Sequence, residues 1–119
     1  MTPDTEALAR RAVACKGWRW MPGMLAVATE VCGYAPPPQR LGQLFVEPSD
    51  SRTWFPDLTD PATLGCLLAL VLEAWGRPTA FLHYYGGNWF FDPQQSEPTN
   101  HFSGRTEAEA LVAALEAAP

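Results

Sequence analysis

The sequence predicts an α+β domain: an antiparallel β-sheet with hairpins, covered by three helices in the order α-β-β-α-β-β-α. Three observations carry this. A well-capped apolar helix lies mid-chain, from Asp60 to Gly76. An aromatic hairpin is folded around Gly86-Gly87. A closing helix opens with a capping box at Thr106. Strands joined as hairpins pair antiparallel, and helices then cover their sheet.

The mid-chain helix is the clearest element. Asp60 can accept from the free N–H groups of a helix start, and Pro61 suits the first helical position. Leu64, Leu67, Leu68, Val71, Leu72 and Trp75 recur at helical spacing as one stripe. Gly76 and Pro78 end it. The opposite face, with Cys66, Ala69, Leu70, Glu73 and Ala74, has a single charge. Surface helices oppose their stripe with charge. This face is therefore expected to be covered, by the chain's own loops or by a second copy in a homo-oligomer.

In chain order, Thr2-Pro3 opens a first helix to about Ala14, with Asp4 and Glu6 in the turn where the helix dipole favours acids. Its stripe, Leu8 and Ala12, is weak and suggests peripheral packing. Trp18-Arg19-Trp20 alternates as a strand, with both Trp on one face, and Pro22-Gly23 is a turn. Met24 to Val31 reads as a strand, with an Ala-rich helix as the alternative. Ala35 to Gln39 is a proline-stiffened connector, Leu41 to Val46 a further strand and Glu47 to Arg52 a polar loop. Thr79–Tyr85 and Asn88–Phe91 form the hairpin across Gly86-Gly87. Asp92 to Gly104 is a polar loop. Thr106 and Glu109 form the T-x-x-E box of the last helix, which carries Leu111, Val112 and Leu115 and runs to Ala118.

Length and composition bound the function. A chain of 119 residues makes one domain, 1–119, and a 47% hydrophobic fraction with five Trp supplies a core. The net charge of −5, with eight scattered Lys and Arg, offers no basic stripe, so nucleic-acid polymers are not expected partners. Three unpaired Cys, at 15, 32 and 66, read as reduced usage and not a disulfide framework. Arg10, Arg11 and two acids interrupt the first fifteen residues, so no signal peptide is expected there. The apolar run Cys66–Leu72 is too short for a bilayer, so a cytoplasmic protein with no membrane partner is expected.

Catalytic chemistry has little to stand on. The two His and three Cys are far apart, without metal-ligand spacing. No Cys has a base-bearing local signature. Asp57 and Asp60 are better read as turn and cap than as paired carboxylates. His83, in FLHYYGGNWFF, reads as a half-exposed strand residue. No cofactor, metal or enzymatic activity is expected. What remains is a surplus of aromatics around the hairpin. Trp54, Tyr85 and Trp89, with Arg52, His101 and Arg105 on adjoining loops, are the candidate ligand-binding residues: rings stack a base, cations pair a phosphate.

Three stretches carry a family resemblance: KGWRWMPG, FPDLTDPAT and GNWFF…RTEAEALVAALEA. Through Trp18 and Trp20, through Pro56, Asp57, Thr59 and Asp60, through Trp89, and through Thr106, Ala110 and Leu111, the chain resembles the small phage proteins described as the phage α-β-α sandwich domain. The match spans roughly two-thirds of the chain and leaves Met24 to Arg52 without a counterpart. The resemblance implies a phage or prophage origin and no particular activity; its shared positions are caps and core. In that setting two roles fit a small protein without catalytic motifs. One is a counter-defence sponge that sequesters a nucleotide-derived immune signal in the host cytoplasm. The other is an inhibitor that binds a host defence protein.

Overall fold

A computed structural model describes residues 2–30, 32–42, 54–77, 80–92 and 101–119. The elements are α1 (Pro3–Val13), β1 (Leu25–Ala28), β2 (Gln39–Arg40), β3 (Trp54–Pro56), α2 (Pro61–Trp75), β4 (Phe81–Tyr85), β5 (Asn88–Asp92), β6 (Phe102–Gly104) and α3 (Glu107–Glu116). The class is α+β. The strands divide between two antiparallel three-stranded sheets, ordered β2-β1-β3 and β4-β5-β6.

Each helix starts where the sequence supplies an acceptor for its orphan N–H groups. Thr2 caps α1 through Thr5 N–H, Asp60 caps α2 through Thr63 N–H, and Thr106 caps α3 through Glu109 N–H. Gly76 closes α2 in the left-handed region, at φ 64°, where a side chain would be strained.

The third helix, and not the second, is the centre of the molecule. Ala108, Ala110, Leu111, Val112, Ala114 and Leu115 of α3 are all buried. They share one core with Leu8, Ala9 and Ala12 of α1, Leu67 and Val71 of α2, and Phe91 of β5. The α2 stripe packs here too, with Leu64, Leu68, Leu72 and Trp75 half-buried against the same cluster. The α1 helix is therefore integral to the core and not peripheral. Gly104 makes close approach possible. A Cβ there would overlap the Cβ of Glu109 and come within 2.9 Å of the Ala110 backbone nitrogen.

The back face of α2 is covered in part by the chain itself, while Ala69 and Glu73 are exposed. Leu70 is buried against Met24 and Leu41, and the Cys66 thiol donates to the Pro22 carbonyl at 3.6 Å. Cover within one chain thus accounts for Leu70 and Cys66 of this face.

Several sequence expectations change here. Trp18–Trp20 is not a strand; the two indoles meet edge to face, with ring centres 5.5 Å apart. Of Met24 to Val31, Leu25–Ala28 forms β1 as a strand. The connector ends in the short strand β2, and Leu41 follows it outside any strand. Residues 43–46 of the expected Leu41–Val46 strand lie outside the described residues, as does the whole Glu47–Arg52 loop. Trp54–Pro56 is a strand where none was expected, and Phe102–Gly104 is a strand within the stretch read as a polar loop.

The first sheet is fastened to α2 by a polar network. Arg40 donates through both terminal nitrogens to the Asp60 carboxylate, at 2.6 and 3.0 Å, and also to the Gly23 carbonyl. Asp60 accepts from the Thr63 N–H and hydroxyl, and buried Thr63 accepts from Leu25 N–H. The Arg40 bonds, with those from Thr63, hold the Asp60 carboxyl down at about 2, from an ordinary 3.8. A carboxylate whose folded value lies below its unfolded value stabilises fully above the unfolded value. That stability disappears as pH falls through the folded one.

The close packing and the Asp60 network lead to three predictions. Gly104→Ala should destabilise the fold by about 1–3 kcal/mol in urea unfolding, the usual cost of overpacking. Asp60→Ala should cost about 1–2 kcal/mol near neutral pH. Wild-type stability should also fall between about pH 4 and pH 2, and an Asp60→Asn variant should show a shallower fall over the same window.

Candidate ligand groove

A groove of about 680 Å³ runs between the N-terminal halves of α1 and α3. Asp4, Thr5 and Arg11 line it from α1, Leu58 and Thr59 from the turn before α2, and Trp89 from β5. Arg105, Thr106, Glu107 and Glu109 line it from the start of α3.

Local structure sets each of these groups. Trp89 lies on the core side of the second sheet, opposite Tyr84, with ring centres 5.4 Å apart. Glu109, beyond its place in the cap, takes the Arg105 N–H on Oε2 at 2.8 Å. The loop ahead of the helix is thereby tied down while the Arg105 guanidinium forms no ion pair among the described residues. Arg11 is engaged: Nε and Nη2 donate to the two carboxylate oxygens of Glu116, at 3.1 and 2.6 Å. This bidentate bond pulls the Glu116 carboxyl below its ordinary range. Thr59 is also engaged, donating to Asp57 at 2.6 Å.

The groove is mixed in charge. Arg105 offers a guanidinium; Asp4 and Glu107 offer carboxylates. A half-buried indole stands beside them. Such a site can stack a planar ring, pair an anionic group and accept from ring N–H or amino donors. Its lining holds no His and no Cys. The thiols of Cys15 and Cys66 lie outside it, and burial pushes both upward, away from the reactive thiolate. Among the described residues no group of His, Cys, Asp and Glu is arranged to hold a metal ion, and no helix is long and apolar enough to cross a membrane.

The candidate residues from the sequence are distributed over the molecule. Trp89 and Arg105 both line the groove. Tyr85 stands at the hairpin turn, 77% exposed. His101 is on the outer face of the second sheet, its ring 5.6 Å from that of Phe90. Phe90 in turn stacks on His83 at 5.5 Å. Trp54 is buried in the first sheet, opposite Ala28, and its indole N–H has no hydrogen-bond partner among the described residues. Arg52 lies outside the described residues.

Sequence reasoning missed the α1 contribution, Asp4, Thr5 and Arg11, and the acidic wall at Glu107. No local pattern joins α1 to α3. The one available signal was charge: Arg11 and Glu116 are opposite charges on two helices that each needed a partner.

Comparison with known proteins gives no match, whether to family models, to curated proteins or to solved structures.

Proposed function

We propose that this protein is a non-catalytic accessory protein of phage origin that binds a nucleotide-derived immune signal in the α1–α3 groove and sequesters it in the host cytoplasm. The supporting observation is that Trp89 and Arg105, whose guanidinium has no ion pair among the described residues, line the same groove of about 680 Å³. That volume lies within the usual range for small-molecule sites. The phage setting rests on the resemblance of the Trp18, Pro56–Asp60 and Thr106–Leu111 stretches to the phage sandwich family.

The chemistry favours a nucleotide over a bare phosphate. Asp4 and Glu107 would repel a ligand that was only anionic, and would accept from a base carrying amino or ring N–H donors. Stacking on Trp89 and pairing with Arg105 then act on one molecule.

A second reading has its own observation. Tyr85, 77% exposed, shares the outer face with the His83–Phe90–His101 ring row, and Tyr84, 60% exposed, lies on the other face against Trp89. Exposed aromatics of this kind suit a protein interface, as an inhibitor of a host defence protein would need.

Calorimetry against cyclic dinucleotides, cyclic trinucleotides and cyclic ADP-ribose isomers tests the first reading. One member should bind and be recovered intact after heat denaturation. Trp89→Ala and Arg105→Ala should each weaken it about 10- to 100-fold, from the loss of a stacked ring or a charged pair. Recovery of an altered ligand would contradict the non-catalytic assignment. No heat with any member, together with retention of one host protein on the immobilised chain, would move the assignment to the inhibitor.

A further inference from the structure

Among the described residues β4 is paired along one edge only, in the order β4-β5-β6. The hairpin turn tells which backbone groups that leaves. Gly86 and Gly87 have φ of 62° and 85°, and Tyr85 pairs directly with Asn88. This is a two-residue turn of type I′, whose closing pair exchanges both backbone hydrogen bonds. Alternation then directs the N–H and C=O of Tyr85, His83 and Phe81 toward β5. Those of Leu82 and Tyr84 point to the open edge.

Natural sheets block such edges with Lys, Pro, a bulge or a covering element. The segment FLHYY carries no charge and no Pro, and its register with β5 is unbroken from Phe81↔Asp92 to Tyr85↔Asn88. The opposite edge is the shorter β6, Phe102–Gly104, which leads at once into Arg105 and α3.

We propose that β4 pairs antiparallel with β4 of a second copy, about a two-fold axis at His83, joining two three-stranded sheets into one continuous sheet. The open groups at Leu82 and Tyr84 lie symmetrically about His83, so each copy's Leu82 exchanges backbone bonds with the other's Tyr84. An isologous contact requires this self-complementarity. Charge points the same way. A chain of net charge −5 repels its own copy over most of its surface, but this strand is uncharged. The nearest acid in the sheet, Asp92, sits one strand back, opposite Phe81. Packing agrees as well. The row His101, Phe90 and His83 on the outer face continues across the axis into the same row of the second copy. The two His83 residues face each other as a non-hydrogen-bonded pair, with Cα atoms about 4.5 Å apart.

Sedimentation velocity over about 1 to 500 micromolar tests this, since a dimer's population depends on concentration. The wild type should reach twice the 13.1 kDa chain mass. Tyr84→Pro removes an outward N–H that bonds nothing within the sheet, a change edge strands tolerate; it should stay folded by circular dichroism and remain monomeric. Tyr84→Ala keeps that N–H and should still dimerise. His83→Lys sets two ammonium groups at the axis and should weaken the dimer at least about 10-fold. That variant leaves the backbone intact, so it decides the matter if Tyr84→Pro does not fold. A wild-type monomer throughout the range overturns the proposal. So does a dimer that His83→Lys or a folded Tyr84→Pro leaves unchanged.

Discussion

The structure depends on how closely other elements approach α3. Ala108, Ala110 and Ala114 place methyl groups where longer side chains would hold neighbours off, and all three are buried. This lets the Gly104 backbone lie directly over Glu109 and Ala110. Gly17 does the same at the other end. A Cβ there would stand 3.1 Å from Leu115 Cδ1 and 3.3 Å from Ala74 Cβ. The α2 helix is locked on by a directional bond as well: Trp75 Nε1–H donates to the Ala114 carbonyl at 2.9 Å. That carbonyl belongs to the last turn of α3, where no intrahelical donor remains. Close packing and a satisfied helix end therefore come from the same contact.

The groove is a consequence of this arrangement. Arg11 and Glu116 bridge the C-terminal ends of α1 and α3, while the capped start of α3 presents Arg105, Glu107 and Glu109 toward Asp4 and Thr5. The core side of the second sheet brings Trp89 against it. Its outer face carries a separate aromatic row, so one hairpin serves two surfaces. The ligand reading uses the inner surface, and the strand-pairing reading uses the edge between them.

Much of this was legible in the sequence where signals are local. Asp60, Pro61 and Gly76 bounded the second helix, the Thr106–Glu109 box opened the third, and Gly86-Gly87 turned the hairpin, because capping and turn chemistry act within a few residues. Strands of two or three residues, such as β2, β3 and β6, show no periodicity to read. The cover of Leu70 by Met24 and Leu41 joins residues remote in sequence. The site residues diverged for a reason the sequence did contain. A two-residue turn pairs Tyr85 with Asn88, which places Tyr85 and Trp89 on opposite faces of the sheet. Proximity in sequence suggested one aromatic pocket; strand parity separates it into two surfaces.

Native-state hydrogen exchange with increasing denaturant tests the central place of α3 most directly, because it resolves local from global opening. The amides of Leu111, Val112 and Leu115 should exchange only through global unfolding, with the full denaturant dependence and the highest protection in the chain. Their exchange through a local opening at much lower free energy, while α2 stays protected, would contradict the account.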